Sequence, residues 1–142
     1  IVKNEELHLA RCLDSVAELV DEIIVVDTGS TDRTIEIASE YTSKVYSYPW
    51  KDDFSDARNY SFSKASMDYC MWMDADDVLK DTEKEKFLNL KQMLQPDTDI
   101  VMMKYNTAFD EAENRLFLIS GKDGSEIVPR CQDSVQDAVP HF

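Results

Sequence analysis

Basic residues are in short supply: 15 Lys and Arg stand against 29 Asp and Glu, a formal charge of −14 over 142 residues. A surface of that sign repels a nucleic-acid backbone or anionic lipid, which argues against polyanionic partners. It does not argue against a phosphate-bearing substrate, because a bound divalent ion inverts the local field. Cysteine is also sparse. Cys12, Cys70 and Cys131 are odd in number, widely spaced and free of any Cys-x-x-Cys pair; Cys12 and Cys70 read as small apolar fillers, and a reduced, cytoplasmic compartment fits best. Long apolar runs are missing as well. The longest is about five residues, against the roughly 18 needed to cross a bilayer. No signal peptide, repeat or low-complexity segment is visible. The chain opens at Ile1-Val2 as if at the end of a strand, so a trimmed first strand or a fragment is expected.

What the sequence does contain is one uncharged stretch delivering a cluster of acids. Tyr69 to Asp77 reads Tyr-Cys-Met-Trp-Met-Asp-Ala-Asp-Asp, the pattern of a buried strand that brings carboxylates to the end of a sheet. Asp74, Asp76 and Asp77 repel one another, and a hard divalent cation with oxygen ligands relieves that repulsion. Magnesium-type ions use one or two carboxylates and complete their shell with water and substrate phosphates, so a phosphate-bearing substrate is expected. Asp77 also reads as part of a solvated acidic turn that caps the next helix.

The rest reads as one α/β domain, long enough to bury roughly two-thirds of its unfolded surface. Asn4 is placed as a helix cap with Glu5 and Glu6 in the first turn, and Leu9, Leu13, Val16, Ala17 and Val20 recur at helical spacing. Glu22 to Asp27 is a β-branched strand ending in an acid, and the small polar loop Thr28 to Asp32 leads to a helix from about Arg33 to Tyr41. Strand, loop, helix is the unit that sets ligands at the carboxyl ends of strands in open α/β sheets, which turns Asp27 toward the crevice. Bonding to loop amides is the plainer role for Asp27, and helix capping for Ser30 to Asp32. Lys44 to Tyr48 is a short strand, Ser55 or Asp56 caps a helix carrying Arg58, and Arg58 either meets the acids or a phosphate, or pairs with Asp53 or Asp56. Thr82-Glu83-Lys84-Glu85 reads as a capping box for a helix stopped by Pro96. Ile100 to Tyr105 is a strand, 108–114 a turn and Arg115 to Ser120 a returning strand. Beyond Ser125 the periodicity fails.

Two family resemblances attach to these residues. Asp74-Ala75-Asp76-Asp77-Val78 resembles the acidic loop of haloacid-dehalogenase-like phosphatases, which would make Asp74 a nucleophile. In that family the loop lies near the amino terminus, whereas here 73 residues precede it.

A wider resemblance rests on four ordered stretches: Ile1-Val2-Lys3-Asn4-Glu5-Glu6, Ile24-Val25-Val26-Asp27-Thr28-Gly29-Ser30-Thr31-Asp32, Phe54-Ser55-Asp56-Ala57-Arg58-Asn59 and Trp72-Met73-Asp74-Ala75-Asp76-Asp77. Together they resemble a family 2 glycosyltransferase of the GT-A fold, a Rossmann-like, mostly parallel sheet flanked by helices. The resemblance implies an inverting transfer of sugar from a nucleotide-diphosphate sugar, UDP-sugar favoured, to a hydroxyl of a glycan, lipid-linked or protein acceptor, with Mn²⁺ or Mg²⁺. It implies that Asp27 bonds the base, the Asn4-Glu5 loop lies against the nucleoside, Arg58 stands near the nucleotide, and Asp74 and Asp76 form the metal motif. Residues 1–105 would be the nucleotide-sugar-binding part and 106–142 a partial acceptor side. Met67 replaces a common glycine and Thr28 a common second Asp. Candidates for the base that inversion requires are Asp110, Glu111 and Glu113. A catalytically silent nucleotide-sugar-binding module is a third reading.

Overall fold

The computed structural model describes residues 1–107 and 110–120, with side chains as far as Val101 and at Met103. The elements run α1 (Leu9–Val16), β1 (Val25–Asp27), α2 (Thr34–Tyr41), β2 (Val45–Ser47), α3 (Phe54–Phe62), β3 (Tyr69–Met71), α4 (Asp81–Met93), β4 (Ile100–Thr107) and β5 (Asp110–Ser120). β1 and β2 pair in parallel with Val25 opposite Val45, and Val2 adds an isolated parallel bridge to Asp27. That parallel unit is joined by helices, as the α/β reading requires. β3, β5 and β4 form a second, antiparallel sheet with β5 in the middle.

β1 is the most enclosed element. Val25, Val26 and Asp27 are all buried, as expected of a short apolar β-branched strand covered on both faces. Val2, Leu9, Leu13, Val25, Ala38 and Ala75 make the core, with Ile23, Ile37, Tyr41 and Val45 packed against it. α1 and α2 thus press onto β1 from their Leu and Ala faces.

Several local expectations need correction. Asn4 is not a helix cap: it sits at φ 57, five residues ahead of α1, because its amide and side chain bond the Ser30–Thr31 loop instead. Glu5 and Glu6 therefore lie outside the helix, and α1 stops at Val16 rather than Val20. The cap of α3 is Asp53, whose carboxylate accepts from the Asp56 amide at 3.1 Å, rather than Ser55 or Asp56. α4 starts at Asp81 with Lys80 as its cap, so Thr82 falls inside the first turn and cannot close a capping box. Asp81 and Glu83 still place negative charge at the positive end of the helix.

The acid-bearing strand differs most. β3 is three residues long and each is only half-buried; it pairs antiparallel with β5. A strand with a long antiparallel neighbour on one edge has only part of its surface covered, hence the intermediate burial. β5 begins at Asp110, so residues 110–114, expected as part of a turn, are strand. Gly121 to Phe142, with Cys131 and His141, lie outside the described residues.

Glu22 ties together the segments that lead into β1, β2 and β3. Its carboxylate, with the side chain only 6% exposed, accepts from Lys44 Nζ and from the Ser66 amide and hydroxyl at 2.9 and 2.6 Å. Burial alone would raise its pKa, but those donors outweigh it and hold the carboxyl down at about 2.

Candidate donor site

Two loops meet at the carboxyl end of β1. Asp27 is 2% exposed; its carboxylate accepts from the Gly29 amide at 3.0 Å and the Ser30 amide at 3.1 Å. Gly29 adopts φ 110, the left-handed conformation that lets the chain fold back over the acid. The plainer expectation for Asp27 is thus realised, and its side chain shapes the loop.

The loop between Lys3 and Glu6 is zipped onto the one from Thr28 to Thr34. The Asn4 amide donates to Ser30 Oγ (2.9 Å) and Asn4 Oδ1 accepts from the Thr31 amide (2.8 Å). The Glu5 amide donates to Thr34 Oγ1 (2.7 Å), the Glu6 amide to Asp32 Oδ2 (3.1 Å), and Glu6 Oε2 accepts from the Arg33 amide (3.0 Å). The hydroxyl of Thr34, fully buried, donates to Asp32 Oδ1. Asp32 also accepts from the Thr34 amide, but the cap position of α2 is Arg33, and Ser30 and Thr31, expected to cap the helix, bond Asn4 instead. Every one of these bonds uses a backbone amide or short side chain, so the arrangement leaves little freedom in either loop.

The acidic stretch is a turn beyond β3. The Asp77 amide donates to the Asp74 carbonyl (3.0 Å), and Asp77 Oδ2 accepts from the Asp74 amide (3.2 Å). Asp77 therefore closes the turn rather than capping α4. Ala75 is buried, while Asp74 and Asp76 are exposed. Arg58 reaches Asp74 from α3: its Nη2 lies 3.6 Å from Asp74 Oδ1, and its guanidinium stands 5.7 Å from the Trp72 ring centre. The expected pairing of Arg58 with the acids is present; Asp56 instead accepts from Lys51 Nζ at 3.0 Å, and Asp53 caps α3.

The turn rests on α1. Arg11 Nη2 donates to the Asp76 carbonyl (3.3 Å), Cys12 Sγ to the Asp74 carbonyl (3.4 Å), and Ser15 Oγ accepts from the Leu79 amide (3.1 Å). Burial and the nearby Asp77, Asp74 and Asp76 charges push the Cys12 thiol up to about 11, so it is held as the protonated donor. Cys12 is therefore more than an apolar filler. Sequence reasoning missed Arg11, Cys12, Ser15 and Thr34, whose partners lie 29 to 65 residues away; for Cys12 and Ser15, a place on the buried face of α1 is the local sign.

A cavity of about 480 Å³ lies beneath, lined mostly by apolar side chains such as Leu13, Phe62 and Phe87, with Arg58, Glu22 and Lys91 also on its walls. At its exposed rim Arg58 meets Asp74, with Asp76 two residues further along the turn. Among the described residues no three His, Cys, Asp or Glu side chains converge on a closed metal cage, and no helix is long and apolar enough to cross a membrane. Two exposed carboxylates on one turn supply hard oxygen donors for an ion that takes its other ligands from water and substrate, so the donor set fits Mg²⁺ or Mn²⁺.

Comparison with known proteins places these features. The model of Glycosyl transferase family 2 matches residues 1–141. Glycosyltransferase SunS of the SPbeta prophage of Bacillus subtilis is 32% identical over 129 residues, covering 86% of this chain and 31% of that protein. A TPR repeat-containing protein of Synechococcus elongatus is 49% identical over 79 residues, 56% of this chain and 20% of that protein. The chain thus spans between a fifth and a third of the length of these relatives. Among solved structures, Staphylococcus aureus TarS 1–349 aligns with a TM-score of 0.58 at 23% identity, over 78% of this chain and 35% of that one. Glucosyl-3-phosphoglycerate synthase of Mycobacterium tuberculosis, solved with Mn²⁺ and UDP-glucose, aligns at 0.56 and 25% identity, over 70% of this chain and 39% of that one. The family match runs through every motif before the acidic turn and displaces the phosphatase reading, which leaves those residues without a task.

Proposed function

Because the chain belongs to glycosyltransferase family 2, with the GT-A fold, we propose that it forms the donor site of a transferase that moves sugar from a nucleotide-diphosphate sugar to an acceptor hydroxyl with inversion. The observation that carries the reading is the exposed Asp74 and Asp76 pair, on a turn pinned to α1 and met by Arg58. Residues 1–105 would bind donor and 106–142 would belong to the acceptor side.

Asp76 and Asp74 would hold Mn²⁺ or Mg²⁺, which when bound offsets charge on the leaving diphosphate. Arg58, whose guanidinium is a fixed fork, is placed to meet a phosphate oxygen next to Asp74. The Asn4-Glu5 and Asp27 loops would face the nucleoside through the surface they build together, with Asp27 acting chiefly by fixing the Gly29–Ser30 amides. UDP is the favoured nucleotide because a relative of the same fold was solved with it. The general base would come from Asp110, Glu111 and Glu113, all at the start of β5. The acceptor is a glycan, lipid-linked or protein hydroxyl.

The deciding experiment is a thermal-shift screen of UDP, GDP and their sugars with and without Mn²⁺, since a ligand that binds the native state raises Tm. A Mn²⁺-dependent rise with UDP-sugars is expected. No shift with any nucleotide, or an unchanged metal-dependent shift in Asp76→Ala, would remove the donor-site assignment.

A further inference from the structure

We propose that the Arg11, Cys12 and Ser15 face of α1 is a positioning element of the donor site, holding the backbone of the acidic turn so that Asp74 and Asp76 meet a cation already aligned. The inference rests on the donor reading above and adds three residues to it.

The geometry is specific. Positions 11, 12 and 15 share one side of a helix, and their anchors land on residues 74, 76 and 79. Each bond goes to turn backbone, so none consumes a carboxylate oxygen. Asp74 remains 64% exposed. Ser15 Oγ also donates to the Cys12 carbonyl at 2.7 Å, which fixes the direction of its lone pairs toward the Leu79 amide. Between the anchors, Ala75 drops into the core beside Leu9 and Leu13 of the same helix. A turn so held brings two like charges close during folding. Cation binding then meets little further ordering cost.

Such residues touch neither ion nor donor, so their loss should weaken Mn²⁺-dependent binding more than it disturbs the fold. The test is titration calorimetry of the full-length protein with UDP at several Mn²⁺ concentrations. Ser15→Ala and Cys12→Ala are expected to lower Mn²⁺ affinity about 10-fold, within the usual range for groups supporting metal ligands. Cys12→Ser keeps a donor and should stay within about threefold of wild type. Arg11→Ala lies on an exposed side chain and guards against misfolding of the buried variants; it should also weaken binding. A second readout needs no ligand: in metal-free Ser15→Ala, hydrogen exchange at the Leu79 amide should accelerate while the Val25 amide, bonded to the Lys44 carbonyl in β1, keeps its protection.

Wild-type Mn²⁺ affinity in both Arg11→Ala and Ser15→Ala would overturn the positioning role while leaving the donor site standing. Failure of the wild-type protein to bind Mn²⁺ with UDP would instead remove the donor reading, and this inference with it.

Discussion

The two halves of the candidate site are built on opposite plans. Around β1, the loops from Lys3 to Glu6 and Thr28 to Thr34 bond each other through amides and short side chains, and Asp27 and Thr34 are buried. Across the site, the Asp74 to Asp77 turn spends its backbone on α1 and leaves Asp74 and Asp76 open to solvent. The first plan makes a rigid wall whose polar groups satisfy one another. The second keeps negative charge available for something from outside. On the donor reading, the first kind of side chain sets stability and the second sets binding. That division can be broken by mutation on either side.

The largest effect should come from the open side. Asp76→Ala is expected to reduce metal-dependent UDP binding by about 100-fold or more, while urea unfolding shifts by no more than about 0.5 kcal/mol, as for other exposed substitutions. Calorimetry and denaturation on the same samples check both halves. A large stability loss would mean that the turn is part of the wall.

The wall should behave in reverse. Thr34→Val preserves shape but leaves the Glu5 amide without its buried acceptor, and should cost about 2 to 3 kcal/mol in urea unfolding. Its effect on nucleotide affinity should be smaller than that of Asp76→Ala, because neither loop loses its backbone path.

How much of this was legible beforehand follows the same division. Asp74 and Asp76 could be read directly because their signal is local: an uncharged run, then acids. Arg58 was legible for a similar reason, its guanidinium lying just upstream of the acid strand, and it does lie 3.6 Å from Asp74. The existence of β1 was plain from Ile-Ile-Val-Val-Asp, although the strand covers Val25–Asp27 rather than the whole of Glu22 to Asp27. Asn4 was misread, since Asn ahead of Glu-Glu is a local helix-start pattern, and only its bonds to Ser30 and Thr31 reveal the loop it makes. Cys12 and Ser15 were opaque for the same physical cause: their partners are tertiary. Thr82 looked like a cap because local pattern does not say which of several adjacent polar residues the helix will start from.

Glu22 joins the plans, and its pH dependence sharpens the contrast. The carboxyl lies at about 2 in the fold against an ordinary 4.5. A depressed pKa means that its contribution is complete above about 4.5 and fades as pH falls toward 2. Glu22→Gln should therefore cost about 2 kcal/mol at neutral pH, and the gap between wild type and variant should close on acidification through that window. Urea unfolding from pH 7 to pH 3 measures it. A gap that is constant with pH would show that Glu22 holds Ser66 by shape alone.

Arg58 should give the smallest change in stability. An ion pair with one partner exposed is worth about 0 to 1 kcal/mol, and Asp74 is that partner. Arg58→Ala should thus leave unfolding nearly unchanged and lower UDP affinity about 10-fold, the loss of one charged contact to phosphate. Arg58→Lys separates charge from geometry. Lysine supplies a point charge without the planar fork, so it should recover only part of the affinity. Full recovery by lysine would mean that the site asks for charge alone, and that the position of the guanidinium over the Trp72 ring has no part in presenting it to the donor.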